Sequence, residues 1–426
     1  MRKIQPIQQQ DRGTWNAKIF KLLVLGSLCL NSISNIMLST IVSPIWYQVA
    51  IYYNTNDYDL NWLVGWYFIG PILFCFPFNA IIIYNYGLSQ ILSCICSSIG
   101  LWILVSVKRD FSLGMLGFAF LGIGEAFYCQ TPLYLSKIWF DSDERIFTTF
   151  VGQYANNVGC LIGYVVSFYY FFGIDDEVEF NTRYENLVFV NAVFATSTII
   201  ISLISLKSPR NSLDKVQIRD SIWTSLRKIC SQKETFLDIA SVSTFIGISW
   251  CYIVLFGNQQ YYVDYTPEEI CLTYVTFSVG QLIAALICSY KLNSQTQKGL
   301  QQTYDTFIKF TISLGFLFLI AENLAFEFLP FQLVIMVNLF IGAGLGGIYS
   351  ILLESLMEKH YPVQELAISS LLVVVACALS FLIIMISIIP QFLTYGFYIS
   401  CFFMIPSFCY ILVFYKTKYT RFEYES

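Results

Sequence analysis

Glu125 stands near the middle of an apolar run, LGIGEAFYCQTP, and on this reading is the one ionisable residue deep within any such run. Placing a carboxylate in hydrocarbon costs about 2.5–3.5 kcal/mol on insertion scales, so acids there usually face a cavity. Four roles are open: a counter-charge for a cationic solute, a carrier of a coupling proton, a protonated, hydrogen-bonded strut between helices, or a cavity-lining acid with no part in transport. Gln153, Asn156 and Asn157 recur at spacings of three and four residues and share one helix face. In lipid such amides turn inward, Asn156 as interhelical packing and Gln153 and Asn157 as cavity lining. Trp250 and Tyr252 are expected to present rings to the same cavity, since aromatic faces attract organic cations. Asn258, Gln259 and Gln260 follow beside Tyr261 and Tyr262, as a gating helix end or an interfacial belt. Glu354 and Glu358 lie one turn apart before Lys359 and His360, which by itself reads as a solvated helix end.

Other chemistries lack their residues. Residues 342–347 spell GAGLGG, a literal GxGxxG, but no strand precedes it and it lies inside an apolar run, so it reads as close helix packing or a flexible point. With one histidine and no CxxC or HExxH, no metal site and no cofactor are expected. The 13 cysteines lie mostly within apolar runs and form no disulfide pattern. A net charge of −4 provides no basic field for nucleic acid.

These residues need helices that cross a bilayer. The chain has 426 residues, 56% apolar and 12% charged, about half the charged fraction of soluble proteins. Apolar runs able to cross about 30 Å of hydrocarbon lie near residues 19–45, 62–83, 88–107, 112–138, 147–172 and 187–206, and again near 238–262, 270–290, 306–322, 329–356, 366–389 and 395–415. The expected fold is an all-α membrane protein of twelve transmembrane helices in two six-helix bundles, residues 19–206 and 236–415. A cytosolic tail (1–18), linker (207–235) and second tail (416–426) complete the chain. The amino-terminal segment has no short apolar core or cleavage site and does not read as a signal peptide. Seven basic residues between 207 and 233, with Arg2, Lys3, Arg12 and Lys18 at the start and Lys416, Lys418 and Arg421 at the end, place both termini and the linker in the cytosol. Within the linker, IRDSIWTSLRKI reads as an amphipathic surface helix or a solvated connection. Two six-span halves about a cytosolic linker are the layout of the major facilitator superfamily.

Several stretches resemble one branch of that superfamily, the feline leukaemia virus subgroup C receptor-related family, whose members move haem, choline, ethanolamine or vitamin-like solutes. The similar residues are Ser32, Ser34 and Asn35 in SISN; Trp62, Leu63, Tyr67, Phe76 and Pro77; Pro132, Trp139, Phe140 and Glu144; Gly152, Asn156 and Gly159; and Glu354, Glu358, Tyr361, Pro362, Glu365 and Ser369. The family's charged turn between spans two and three is here Tyr84, Asn85, Tyr86, Gly87, without charges. Ser39 stands at the family's span-one tryptophan, and Asn157 and Cys377 at its glutamines in spans five and eleven. Trp250 and Tyr252 lie near its other aromatic position.

The resemblance implies transport of a small organic solute by alternating access, choline/ethanolamine-like, haem or vitamin-like. Glu125, Gln153, Asn157, Trp250, Tyr252, Ser39 and Cys377 are the expected cavity residues. Glu354, Glu358, Glu144 and Arg145 are the expected inner gate, the family match implying contacts of Glu354 and Glu358 with Lys137 or Arg145. The expected partners are membrane lipid, the solute and protons as coupling ion, with the plasma membrane the favoured location. The rival reading is a receptor or structural subunit that keeps the fold and does not transport, as the missing turn charges would suit. No nucleophile stands with its base and no paired acids occur, so enzymatic activity is not expected.

Overall fold

The computed structural model describes residues 15–56, 59–140, 142–174, 176–207, 221–261, 265–293, 297–325, 328–361, 363–389 and 396–416, and among them the regular structure is helical throughout. The first part of the chain forms α1 (Trp15–Val42), the short α2 (Trp46–Tyr52), α3 (Asn61–Tyr84), α4 (Tyr86–Val107), α5 (Phe111–Tyr128), α6 (Thr131–Trp139), α7 (Ser142–Phe171) and α8 (Glu177–Ser202). After the linker come α9 (Ile222–Ser231), α10 (Lys233–Tyr261), α11 (Pro267–Asn293), α12 (Gln297–Ala325), α13 (Phe331–Leu345), α14 (Tyr349–Lys359), α15 (Glu365–Ser387) and α16 (Gly396–Val413). Among the described residues, nine helical stretches are long and apolar enough to cross a membrane. Helices satisfy their own backbone groups, which is what a chain this poor in charge needs in lipid.

Two of these stretches are broken, for different reasons. Between α5 and α6 the break follows from Pro132, which lacks an N–H and takes a place in the first turn of α6. There the Gln130 side chain donates to the carbonyls of Ala126 at 2.8 Å and Cys75 at 3.1 Å, so the interrupted ladder keeps partners. Between α13 and α14 the break falls at Gly346 and Gly347, within the glycine run. That run also packs closely: a Cβ on Gly342 would meet the Phe277 carbonyl oxygen of α11 at 2.0 Å.

Backbone approach of this kind recurs inside each chain half. A Cβ on Gly70 of α3 would lie 2.1 Å from the Gly122 carbonyl carbon of α5, and one on Gly280 of α11 2.0 Å from the Leu339 carbonyl oxygen of α13. Only glycine permits such contact. The halves meet along two seams, α3 against α15 and α7 against α11. There side chains make the contact: Trp62 against Phe381 with ring centroids 6.5 Å apart, and Tyr164 stacked on Tyr274 at 4.8 Å. The end of the bundle where α8 stops and α10 begins is called here the linker face.

Asn85 supplies the start of α4 in the charge-free turn, its Oδ1 accepting from the Leu88 N–H at 3.1 Å. Within the linker the amphipathic segment is helical over α9; residues 208–220 lie outside the described residues.

Candidate solute cavity

A cavity opens between the halves, walled by α1, α3, α5 and α7 on one side and by α10, α11, α14 and α15 on the other. Glu125 faces it from α5 while remaining 6% exposed. Its Oε2 accepts from the Asn35 amide of α1 at 2.8 Å, and its Oε1 from the Asn156 amide of α7 at 2.8 Å and the Cys129 thiol at 3.1 Å. Ser97 of α4 donates to Asn35 Oδ1 at 2.6 Å, so the Asn35 amide nitrogen is turned toward the acid. Gly124 makes room for this arrangement, since a Cβ there would lie 2.2 Å from the Ser97 hydroxyl. Every donor to the carboxylate is neutral, and among the described residues it has no ion pair.

Aromatic rings line the rest. Tyr67, Phe68 and Tyr164 stand on the first-half wall and Trp250 and Tyr349 on the second, the last two edge to face with centroids 5.9 Å apart. Ser39, Asn157 and Cys377 also line the cavity; the Ser39 hydroxyl is taken up by the Ile36 carbonyl at 2.7 Å.

Toward the linker face the cavity is closed by polar contacts between halves. Lys137 of α6 pairs with Glu365 of α15 at 3.1 Å. Asn79 of α3 donates to the Ser370 hydroxyl of α15, which in turn donates to Gln130 Oε1 at 2.5 Å. The Tyr154 hydroxyl donates to the Gly346 carbonyl at 3.1 Å and the Tyr349 hydroxyl to the Cys129 carbonyl at 3.4 Å.

Several expected placements are corrected. Tyr252 lies outside the cavity lining: successive helical residues turn by about 100°, so positions 250 and 252 point about 200° apart and cannot both face one space. It is 2% exposed, and its hydroxyl donates to Glu322 Oε2 at 2.5 Å. Glu322 corrects the reading of Glu125 as the one deep acid. It is 1% exposed in α12, with Asn338 of α13 donating to its Oε1 at 2.8 Å. An acid at the end of an apolar run reads as a span boundary, yet the helix continues to Ala325 and folds it inward. Gln153 stands behind the lining, donating to the Cys129 carbonyl at 3.4 Å. In the expected gate, Lys137 goes to Glu365 in place of Glu354 or Glu358, and Glu144 lies 3.8 Å from Lys21. Arg145, Glu354 and Glu358 also have interactions, at the linker-face end of their helices.

His360 is no plain loop histidine. Its Nε2 lies 2.8 Å from the buried Asp238, which Lys359 also pairs at 2.6 Å. Asn258, Gln259, Gln260, Tyr261 and Tyr262 lie outside the residues whose side chains are described. Asn35, which holds Glu125, and the lining residues Tyr67, Phe68, Tyr164 and Tyr349 are among the site residues that sequence reasoning did not select. Asn35 and Tyr67 were visible as motif residues, whereas Tyr349 had no local signal beyond its place after a glycine break.

The sequence model of the major facilitator superfamily matches residues 28–385. The chain belongs to this superfamily. An uncharacterised MFS-type transporter of Caenorhabditis elegans is 24% identical over 389 residues, covering 87% of this chain and 63% of the relative. The choline/ethanolamine transporter flvcr2a of Danio rerio is 24% identical over 294 residues, 63% of this chain and 62% of that protein. The choline/ethanolamine transporter flvcr2b of Danio rerio is 22% identical over 264 residues, 58% of this chain and 54% of that protein. The chain thus spans less than two thirds of the length of these curated relatives. For a facilitator-superfamily chain, an integral multi-pass membrane setting follows, and the cavity between halves lies where such folds bind solute.

Proposed function

We propose that the protein is a twelve-span transporter that carries a small organic cation, of choline or ethanolamine type, through the central cavity by alternating access. The observation that carries this reading is the Glu125 carboxylate, fixed by the neutral donors Asn35 and Asn156 and facing a space walled by Tyr67, Tyr164, Trp250 and Tyr349. A carboxylate away from water calls for a counter-charge. An ammonium group satisfies the acid and the ring faces together. Haem fits less well, because its own carboxylates would meet Glu125. The printed names of the zebrafish relatives agree with the amine class.

The nine apolar stretches together with α7, α10 and α16 make the twelve crossings. The basic linker and chain ends orient the linker face to the cytosol. That face is held by side-chain hydrogen bonds and by the Lys137–Glu365 ion pair, contacts that can part without unfolding a helix. The rival, a receptor or subunit that does not transport, draws on the charge-free turn at Tyr84–Gly87. Lys137–Glu365 provides a charged latch elsewhere on the same face, so the loss of turn charges leaves the gate intact.

The test is uptake of radiolabelled choline and ethanolamine into proteoliposomes by the wild type and Glu125→Gln. If Glu125 binds the cation, the variant loses affinity at every pH. If it carries a coupling proton, exchange persists while pH-driven accumulation disappears. A folded variant with wild-type affinity, rate and pH profile would leave the acid as a strut, and absence of any amine uptake by the wild type would favour the receptor.

A further inference from the structure

The linker helix α9 begins at a capped turn, Ser221 Oγ accepting from the Thr224 N–H at 3.2 Å. Ile222, Ser225, Leu226 and Ile229 share one face by their spacing of three and four residues. Ser225 and Ile229 are fully buried, and Ile222 and Leu226 pack on the core, where α9 meets α10 and α15 of the second half. The other face carries Trp223, 73% exposed, with exposed Arg227 and Lys228, and exposed Lys233 follows at the start of α10.

Trp223 also touches the first half. Its ring stacks on Phe76 of α3, centroids 6.2 Å apart and planes 26° from parallel. A helix seated on the second half thus touches the first, beside the seam where Asn79 meets Ser370. Phe76 lies eight residues before the linker-face end of α3, about 12 Å along the helix axis. That is near the depth at which the apolar side of an interfacial helix settles between headgroups and acyl chains. Indole is enriched at that level because one edge is apolar and the other wet.

The charge points the same way. Residues 207–234 hold seven basic and three acidic side chains, and one of the acids, Glu234, is engaged by Lys359 at 3.2 Å. An apolar ring at interface depth beside exposed cations suits a phospholipid with an acidic headgroup. An acidic peptide could reach the cations but would leave the exposed indole without apolar surroundings.

We propose that α9 is a docking helix for acidic phospholipid: headgroups bind Arg227, Lys228 and Lys233 while Trp223 inserts beside Phe76, and the bound lipid holds α9 across the α3–α15 seam. The surface exists whether or not solute moves, so its failure leaves the transport reading untouched.

The experiment compares quenching of tryptophan fluorescence by brominated phosphatidylglycerol and brominated phosphatidylcholine, at equal mole fraction in vesicles holding the full-length protein. The difference between wild type and Trp223→Phe isolates the signal of Trp223. Quenching by the acidic lipid is expected to be several-fold stronger than by the neutral one, and to weaken stepwise as basic residues are removed, since each contributes about fivefold to the affinity for acidic lipid. The preference should therefore vanish in the triple variant Arg227→Gln/Lys228→Gln/Lys233→Gln and weaken in 1 M salt. Equal quenching by the two lipids, an unchanged preference in the triple variant, or no lipid quenching of Trp223 at all would each overturn the proposal.

Discussion

In the first half of the chain, Ser97 on α4, Asn35 on α1 and Glu125 on α5 form a connected set of hydrogen bonds. In the second half, Tyr252 on α10, Asn338 on α13 and Glu322 on α12 form another. Both sets bury one carboxylate among neutral donors. Glu125, however, borders the central cavity, whereas Glu322 is enclosed by its partners and stands outside that lining. Burial alone therefore does not mark a working acid in this bundle. What the remaining open side of the carboxylate faces decides whether it can meet a solute or only tie helices together.

The strongest way to break this contrast is to neutralise each acid in turn. Removing one partner of a desolvated charge pair costs about 3 kcal/mol or more, roughly a hundredfold in affinity. Glu125→Gln should show that loss for choline-type solutes in equilibrium binding, while Glu322→Gln should bind as wild type. Equal losses in the two would make both acids functional and remove the distinction.

Next in size is Glu322→Leu, which leaves the Tyr252 hydroxyl with Asn338 Oδ1 at 3.2 Å and the Asn338 amide with the Val334 carbonyl at 3.0 Å as their remaining acceptors. The two hydrogen bonds lost to Glu322 are together worth about 1–3 kcal/mol. Thermal unfolding in detergent should reveal a matching loss of stability, with the solute affinity of the surviving folded protein preserved.

Trp250 and Tyr252 sharpen the comparison on one helix. Trp250→Leu should weaken binding of an organic cation by about 1–2 kcal/mol. Tyr252→Phe should leave affinity unchanged, because that ring points away from the cavity. The reverse result in isothermal titration would place the wrong face of α10 at the solute.

The smallest expected effect belongs to the seam. Lys137 and Glu365 are partly solvent-exposed, so their pair is worth about 0.5–1 kcal/mol. Either alanine substitution should speed maleimide modification of Cys129, followed by mass spectrometry. The double variant should add nothing beyond the single ones, as a double-mutant cycle requires of a shared contact.

Legibility in the sequence followed the physics of each signal. Glu125 could be read because a lone acid well inside an apolar run has no cheap explanation. Glu322 could not, since an acid at the end of such a run looks like a solvated boundary until the fold buries it. The 200° between Trp250 and Tyr252 was available from helix geometry, and it argued against giving both one role. The face of α9 was written in the spacing of Ile222, Leu226 and Ile229. By contrast, the partner of Lys137 was not written anywhere local. Glu354, Glu358 and Glu365 lie within twelve residues of one another, and only the approach of α6 to α15 selects Glu365. The membrane-helix class was legible because composition constrains it throughout the chain, whereas the pairing of side chains across seams depends on tertiary approach.

The glycine contacts described for the helices have a mechanical consequence. At Gly70 with Gly122, and at Gly280 with Leu339, main chain rests on main chain inside one half. Helices in that contact cannot slide without losing close packing over several turns. Across the seams, by contrast, a side chain stands on at least one side of each contact described, as where Met385 and Phe381 approach Gly65. Rotamer changes can exchange such contacts. Each half should thus move as a stiff block, with the compliance concentrated at the seams. Amide hydrogen exchange should be slow within the blocks through a full cycle, while side-chain mobility changes along α3–α15 and α7–α11.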